Sequence, residues 1–270
     1  MSLCNSHNVY EVRRREVIIM FNKLILPLLI VFPYITNAAD LRSETKSYSV
    51  TLGASRIIFD DKKNASSLLV ENKQEYPVLI ESRIMDESSE KKSSEYFVTP
   101  PLFRLDPGQK NSISVIKTSN EFPLDTESLN WICVKSVPPT KGSAWADSNT
   151  KNESTLNIDI LVNNCIKIIT RPSALDNIKD GSYGSKLRWS VSNSTLSVEN
   201  PTPYYINFSS INLDKRNITP PVFLKPKSSY AFNKKIDIKG GDKIRWKLID
   251  DYGAPTSDFE SIVHTAIREN

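Results

Sequence analysis

From Ser47 onward, apolar residues recur at every second position in short runs, and no stretch carries the three-and-four spacing of an amphipathic helix. In the first half this alternation predicts strands at Tyr48 to Leu52, Arg56 to Phe59, Ser67 to Glu71, Val78 to Met85 and Tyr96 to Thr99. Ser112 to Lys117, Asn130 to Val137 and Leu156 to Ile169 continue the series. In the second half it predicts Leu187 to Ser192, Thr195 to Glu199, Tyr205 to Asn212, Val222 to Leu224, Ser229 to Phe232, Lys243 to Ile249 and Phe259 to Ile267. Asp60-Asp61, Asp106-Pro107-Gly108 and Gly240-Gly241 punctuate the runs as turns. About seven strands over roughly 130 residues is the count of an immunoglobulin-like sandwich. The polar segment Asp176 to Ser185 suits a junction, so the pattern predicts two all-β domains, 39–172 and 173–270.

One strand carries more information than the others. Leu156, Ile158, Ile160 and Val162 alternate with Asn157, Asp159, Leu161 and Asn163, giving one strongly apolar face. The plainer reading is a half-buried sandwich strand; the functional one is an edge strand that offers this face to a partner. The polar segment Pro138 to Thr155 before it is far longer than a hairpin requires, and such loops are functional or mobile.

The amino terminus reads as a targeting segment. Asn22-Lys23, the apolar run Leu24 to Ile35 and Thr36-Asn37-Ala38 form the head, middle and exit of a secretory signal, with cleavage expected after Ala38. Met20 stands just before that head, so either Met1 or Met20 can be the start, with residues 1–19 an upstream extension in the second case. A longer uncleaved anchor from near Val17 or a twin-arginine signal on Arg13 to Arg15 are the alternatives; Lys23 and Glu16 speak against them. The apolar run is shorter than the roughly 20 residues a bilayer span needs, so no stable membrane insertion is expected.

Trimming changes the remaining arithmetic. Of 35 basic and 31 acidic residues, the first 38 positions hold Arg13, Arg14, Arg15, Lys23, Glu11 and Glu16, leaving 31 and 29, a net charge of +2. That is no nucleic-acid footprint. Cys4 is removed as well, and Cys133 and Cys165 remain as either a disulfide or two buried thiols. A bridge would close a loop of about 33 residues, worth roughly 3.5 to 4 kcal/mol on chain entropy. The 8 Gly form no phosphate-cradling loop, and beyond residue 38 the sole imidazole is His264, so neither a cofactor nor a metal is expected. His264 has no nucleophile elbow to serve, and Asp60-Asp61, Asp250-Asp251 and Glu127 have the residue types of paired catalytic carboxylates but, as acids in turns, read as solvated. A carbohydrate-active enzyme would need a paired acid and base with aromatic platforms, and none is assignable. The chain is therefore not expected to be an enzyme.

Six segments then point to one family. They are Ser55-Arg-Ile-Ile-Phe59, Leu69-Val-Glu-Asn72, Thr99-Pro-Pro-Leu-Phe-Arg-Leu-Asp-Pro-Gly108, Phe122-Pro-Leu-Asp-Thr-Glu-Ser-Leu-Asn-Trp-Ile-Cys-Val-Lys-Ser-Val-Pro-Pro139, Ile166-Lys-Ile-Ile-Thr-Arg-Pro172 and Val198-Glu-Asn-Pro-Thr-Pro-Tyr-Tyr-Ile206. In that order they resemble the periplasmic chaperones of chaperone-usher pilus assembly. Thr126 departs from the family's usual residue, and Cys133 stands where many members carry Asn. With Cys165 and the long polar insert, Cys133 resembles the long F-G loop subfamily.

The resemblance implies two immunoglobulin-like sandwiches in an L-shaped arrangement, acting in the periplasm. Its clients would be fimbrial or afimbrial adhesin subunits lacking their last strand, passed on to an outer-membrane usher. Leu156, Ile158, Ile160 and Val162 would fill the client's apolar groove, and Arg56 and Lys167 would hold its terminal carboxylate. The plainer reading of those two cations is a solvated surface charge, and strand parity alone does not show which face Lys167 takes. The exposed donor strand leaves room for self-association without a client. The competing reading is an exported two-domain immunoglobulin-like adhesin or ligand-binding protein that works through its loops.

Overall fold

The computed structural model describes residues 42–60, 62–119, 121–138, 155–175, 177–214, 216–233 and 237–265. The expected signal segment, residues 139–154 of the polar insert and the stretch beyond Thr265 lie outside them.

The first domain opens with β1 (Arg42–Tyr48), β2 (Thr51–Leu52), β3 (Arg56–Asp60), β4 (Ala65–Glu71), β5 (Val78–Met85) and β6 (Tyr96–Thr99). It closes with β7 (Leu102–Leu105), β8 (Lys110–Lys117), β9 (Ser128–Val137), β10 (Thr155–Leu161) and β11 (Asn163–Arg171). A 3-10 turn, Ser182–Lys186, leads into the second domain. That domain comprises β12 (Arg188–Ser192), β13 (Thr195–Asn200), β14 (Phe208–Leu213), β15 (Arg216–Ile218), β16 (Ser228–Ala231), β17 (Lys243–Leu248), β18 (Phe259–Ile262) and β19 (His264–Thr265).

Each domain is a sandwich of two sheets. The first packs a five-stranded sheet, ordered β3-β11-β9-β5-β7, on a four-stranded one, β2-β4-β8-β6. The second packs β16-β13-β12-β19 on β15-β14-β17-β18. The alternation explains the packing: along β5, Val78, Ile80 and Ile84 face inward, where Ile113, Ile132 and Ile168 meet them. Fully burying each such side chain contributes roughly 1.5 to 3 kcal/mol before entropy is counted. The second core centres on Trp189 and Trp246, whose ring centroids are 5.4 Å apart.

Both domains use the same device to order a loop. Asn72 immediately follows β4 and Asn200 ends β13, both fully buried. The Asn72 amide donates to the carbonyls of Tyr76, Leu105 and Asp106, and that of Asn200 to Tyr204 and Lys225. Buried amides satisfied in this way hold connections that have no ladder of their own.

The structure corrects several expectations from the pattern. The single strand expected from Leu156 to Ile169 is two, because its neighbours change: β10 runs parallel to β1, and β11 lies between β9 and β3. The strand expected at Val222 to Leu224 is reduced to one bridge between Leu224 and Ile206. The expected last strand divides at buried Val263, with β18 pairing β17 and β19 crossing to β12 in the other sheet. The polar junction is not wholly solvated either, since Tyr183 and Gly184 are buried within it.

Candidate functional site

Register settles which face Lys167 takes. In β11 it stands directly opposite Arg56 of parallel β3 and opposite Trp131 of antiparallel β9, so all three side chains share one face. Ile168 turns into the sandwich core, while Lys167 and Ile169 point outward. That outward face meets the second domain: Leu129, Ile169 and Tyr205 form a small apolar cluster with Ile58, Trp131 and Phe223 against it.

The two cations lie at the edge of this cluster, and their partners come from the second domain. Lys167 Nζ donates to Asn207 Oδ1 at 2.5 Å and to the Val222 carbonyl at 2.7 Å. It sits over the rings of Trp131 and Phe223, 5.3 and 5.9 Å from their centroids. Burial, followed by the Arg56 charge, lowers Lys167 to about 8. Arg56 donates one guanidinium N–H to the Ile249 carbonyl at 3.1 Å, and its buried Nε has no partner. Burial lowers Arg56 too, opposed by Tyr183, Asp251 and Asp250. No described carboxylate forms an ion pair with either cation. The arrangement is thus two partly desolvated positive groups, held by neutral oxygens, with donor capacity left over.

A third cation on the same face behaves differently. Arg171 Nε donates to Glu127 at 2.7 Å, and its two terminal nitrogens grip Asp251 at 2.7 and 3.0 Å. Glu127 also accepts the Tyr205 backbone N–H at 2.7 Å, so this network ties the domains together. Burial drives Glu127 up to about 7 against the pull of Arg171 and Tyr205, with Asp251 adding to the rise. Burial works to loosen the Arg171 proton, but the hydrogen bonds and negative charges of Asp251 and Glu127 outweigh it and hold that proton more firmly than usual. The reading of Glu127 and Asp251 as solvated acids is therefore wrong: both side chains are almost wholly enclosed.

Beside this network, the 250–253 turn presses on the strand that carries Arg56. Gly253 has φ +87°, and a Cβ there would stand 2.2 Å from Ser55 Oγ, so the close approach requires glycine. Asp250 caps the turn by accepting the Tyr252 and Ala254 N–H groups.

Strand β10 extends past the end of β9. Ser43, Thr45 and Ser47 of β1 stand opposite Leu156, Ile158 and Ile160, so the aliphatic row has only small polar neighbours on that side. These three are 50%, 43% and 47% exposed. Val162 is half-buried at the break before β11, where its N–H reaches the Tyr48 carbonyl at 2.9 Å; it does not share their exposure. Below the break, Cys133 and Cys165 stand opposite each other on β9 and β11 and are joined as a disulfide.

Among the described residues there is no cluster able to hold a metal ion, and no helix long and apolar enough to cross a membrane. Sequence reasoning missed Glu127, Arg171, Asp251, Asn207 and the carbonyls of Val222 and Ile249. Parity could have found Arg171, which lies two and four positions beyond Ile169 and Lys167 on the same face.

Comparison with known proteins places this geometry. Residues 49–176 match the family described as Pili and flagellar-assembly chaperone, PapD N-terminal domain. Residues 183–259 match Pili assembly chaperone PapD, C-terminal domain. Chaperone protein caf1M of Yersinia pestis is 39% identical over 223 residues, which is 79% of this chain and 85% of the relative. Chaperone protein AggD of Escherichia coli is 33% identical over 234 residues, 85% of this chain and 91% of the relative. The solved complex of Salmonella enterica SafA pilin with the SafB chaperone matches with a TM-score of 0.72 and 32% identity, over 82% of this chain and 100% of the matched one. The E. coli chaperone DraB matches with a TM-score of 0.69 and 32% identity, over 82% and 99%.

Proposed function

The chain belongs to the pili assembly chaperones, and on that premise we propose that it works in the periplasm by lending β10 to subunits that lack a strand of their own. It is a chaperone of pilus assembly, not an enzyme, and its partners are fimbrial or adhesin subunits. The observation that carries the proposal is the row of Leu156, Ile158 and Ile160, held out by β1 with about half of its apolar surface open to solvent.

A sandwich missing a strand exposes an apolar groove and unpaired sheet edges, both prone to aggregation. β10 supplies the edge by β-augmentation and its aliphatic row the groove filling, with Val162 at the base of the row. Arg56 and Lys167 bind the client's terminal carboxylate, and that anchor fixes the register of the added strand. Two cations that lack any described carboxylate partner support this role. Delivery then passes to an outer-membrane usher. The long segment between the bridged cysteines supports placement in the long F-G loop subfamily. Export proceeds through the signal ending at Ala38, leaving a mature chain that starts at Ala39 and comprises domains 39–172 and 173–270. The adhesin reading loses ground because the relatives that cover most of the chain are chaperones.

The test is recovery of co-expressed subunit with tagged chaperone from periplasmic extract. Arg56→Ala and Lys167→Ala should each lower recovery by about thirty-fold to several thousand-fold, as loss of a buried charge contact does. Their melting temperatures should hold, because neither cation is in the sandwich core. Normal recovery with both variants would remove the anchoring role.

A further inference from the structure

We infer that Asn207 is a positioning residue that keeps the cleft cationic, holding the Lys167 ammonium with a neutral oxygen so that its charge stays available to a client carboxylate. The inference rests on the carboxylate-anchor reading and adds a residue from the second domain to it.

Asn207 is 4% exposed and lies just ahead of β14, between the two segments that hold the cations. Its Oδ1 takes Lys167 Nζ at 2.5 Å, and its backbone carbonyl takes the Ile249 N–H at 2.7 Å. The Ile249 carbonyl in turn takes the Arg56 guanidinium. One residue therefore joins the supports of both cations in a single hydrogen-bonded chain. All three supporting oxygens, from Asn207, Val222 and Ile249, carry no formal charge. The nearby acids are engaged elsewhere: Asp251 by Arg171, Asp250 by the Tyr252 and Ala254 N–H groups, and Glu87 by Lys225 and the Tyr205 hydroxyl. An ammonium has three donors, and with two bonds to protein one stays free for an incoming anion.

A carboxylate has nearly the shape of the Asn amide, so Asn207→Asp alters charge and little else. It would pair with Lys167 internally and compete with the client for the same cation. A merely structural Asn207 would tolerate the isosteric Asp better than Asn207→Leu, which loses the acceptor and changes shape. A charge-selecting Asn207 gives the opposite order.

The experiment compares wild type, Asn207→Asp, Asn207→Leu and Lys167→Ala for recovery of the pilus subunit encoded beside the chaperone gene. Thermal melting and the pH dependence of Lys167 acetylation by acetic anhydride, read by peptide mass, accompany it. The expected result is recovery lowered about thirty-fold or more with Asp and only several-fold with Leu. In Asn207→Asp the melting temperature should be unchanged or raised, and the Lys167 titration should move up by about one pH unit. Wild-type recovery with Asn207→Asp, while Lys167→Ala fails, would overturn the role of Asn207 and leave the anchor standing. Wild-type recovery with Lys167→Ala would overturn the anchor and this inference together. If Asn207→Leu does not fold, the Asp variant and the Lys167 titration decide between the same outcomes.

Discussion

Leu156, Ile158 and Ile160 are half-uncovered in the free chain, so their replacement should cost client binding beyond what it costs folding. Fully burying a large aliphatic side chain is worth about 1.5 to 3 kcal/mol. With 50%, 43% and 47% of each still exposed, the part that a client can add is roughly half, about 0.7 to 1.5 kcal/mol per residue. Ile158→Ser should then weaken capture about three- to twelve-fold, and the triple Ser variant about thirty- to two-thousand-fold. A hydroxyl left without a partner in an apolar groove deepens the loss. The covered half belongs to the free chain, so folding should lose about 0.7 to 1.5 kcal/mol per replacement while β10 keeps its ladder with β1, and capture is compared well below each variant's melting transition. The assay is subunit recovery with tagged chaperone, with thermal melting of the free protein as control and Asp159→Ser, on the opposite face, as a neutral comparison. Wild-type recovery with the triple variant would refute groove filling. A loss of folding stability well beyond about 1.5 kcal/mol per residue would refute it from the other side, since the row would then belong to the chaperone's own core.

Four further outcomes follow from the same structure. Lys167 is held down to about 8, so capture should weaken as pH rises through that value, whereas Lys167→Arg should hold capture to higher pH; a flat wild-type profile would contradict a charged anchor. The free chaperone should show the reverse trend, gaining stability between pH 8 and the ordinary lysine value of 10.5 because the unfolded chain binds that proton more tightly. Glu127 is raised from 4.5 to about 7, so its contribution is fully present below the first value and lost as pH climbs through the second, on the order of 3 kcal/mol. Glu127→Gln should flatten that decline in urea titrations across the window, and an unchanged slope would show that Glu127 stays ionised throughout. Replacing Cys133 and Cys165 together by Ala should cost roughly 2 to 4 kcal/mol in urea unfolding, and the wild type with a thiol reductant should fall to the same midpoint.

The strands that build the cores were legible because inward and outward positions differ in polarity, as along β5 and β13. β1 was not. Arg42–Tyr48 is polar at nearly every position, and it forms a strand only because β10 offers a backbone edge. The break at Val162 was hidden for a related reason: the residues keep alternating across it, and what changes is the neighbouring strand. Conversely, a signal was present that carried more than it showed. Val-Glu-Asn occurs at 70–72 and again at 198–200, and in both domains the Asn closes a strand and orders the loop beyond it.

The cleft divides along a similar line. Arg56 and Lys167 stood out through the segments that contain them, and register then set them on one face. Their supports could not stand out, because the carbonyls of Val222 and Ile249 belong to the backbone and leave no mark on residue type. Glu127, Arg171 and Asp251 were readable as residues but not as a set, since the network draws on three separated segments. The allocation of charge among these groups matters more than their identities. Arg171 receives both buried carboxylates and becomes a structural tie between the domains. Arg56 and Lys167, on the same face, receive only neutral oxygens. Had Asp251 turned to Arg56 instead, half of the cleft's positive charge would be offset and the interdomain tie halved. Keeping the acids on one cation is therefore what leaves the other two able to attract an anion.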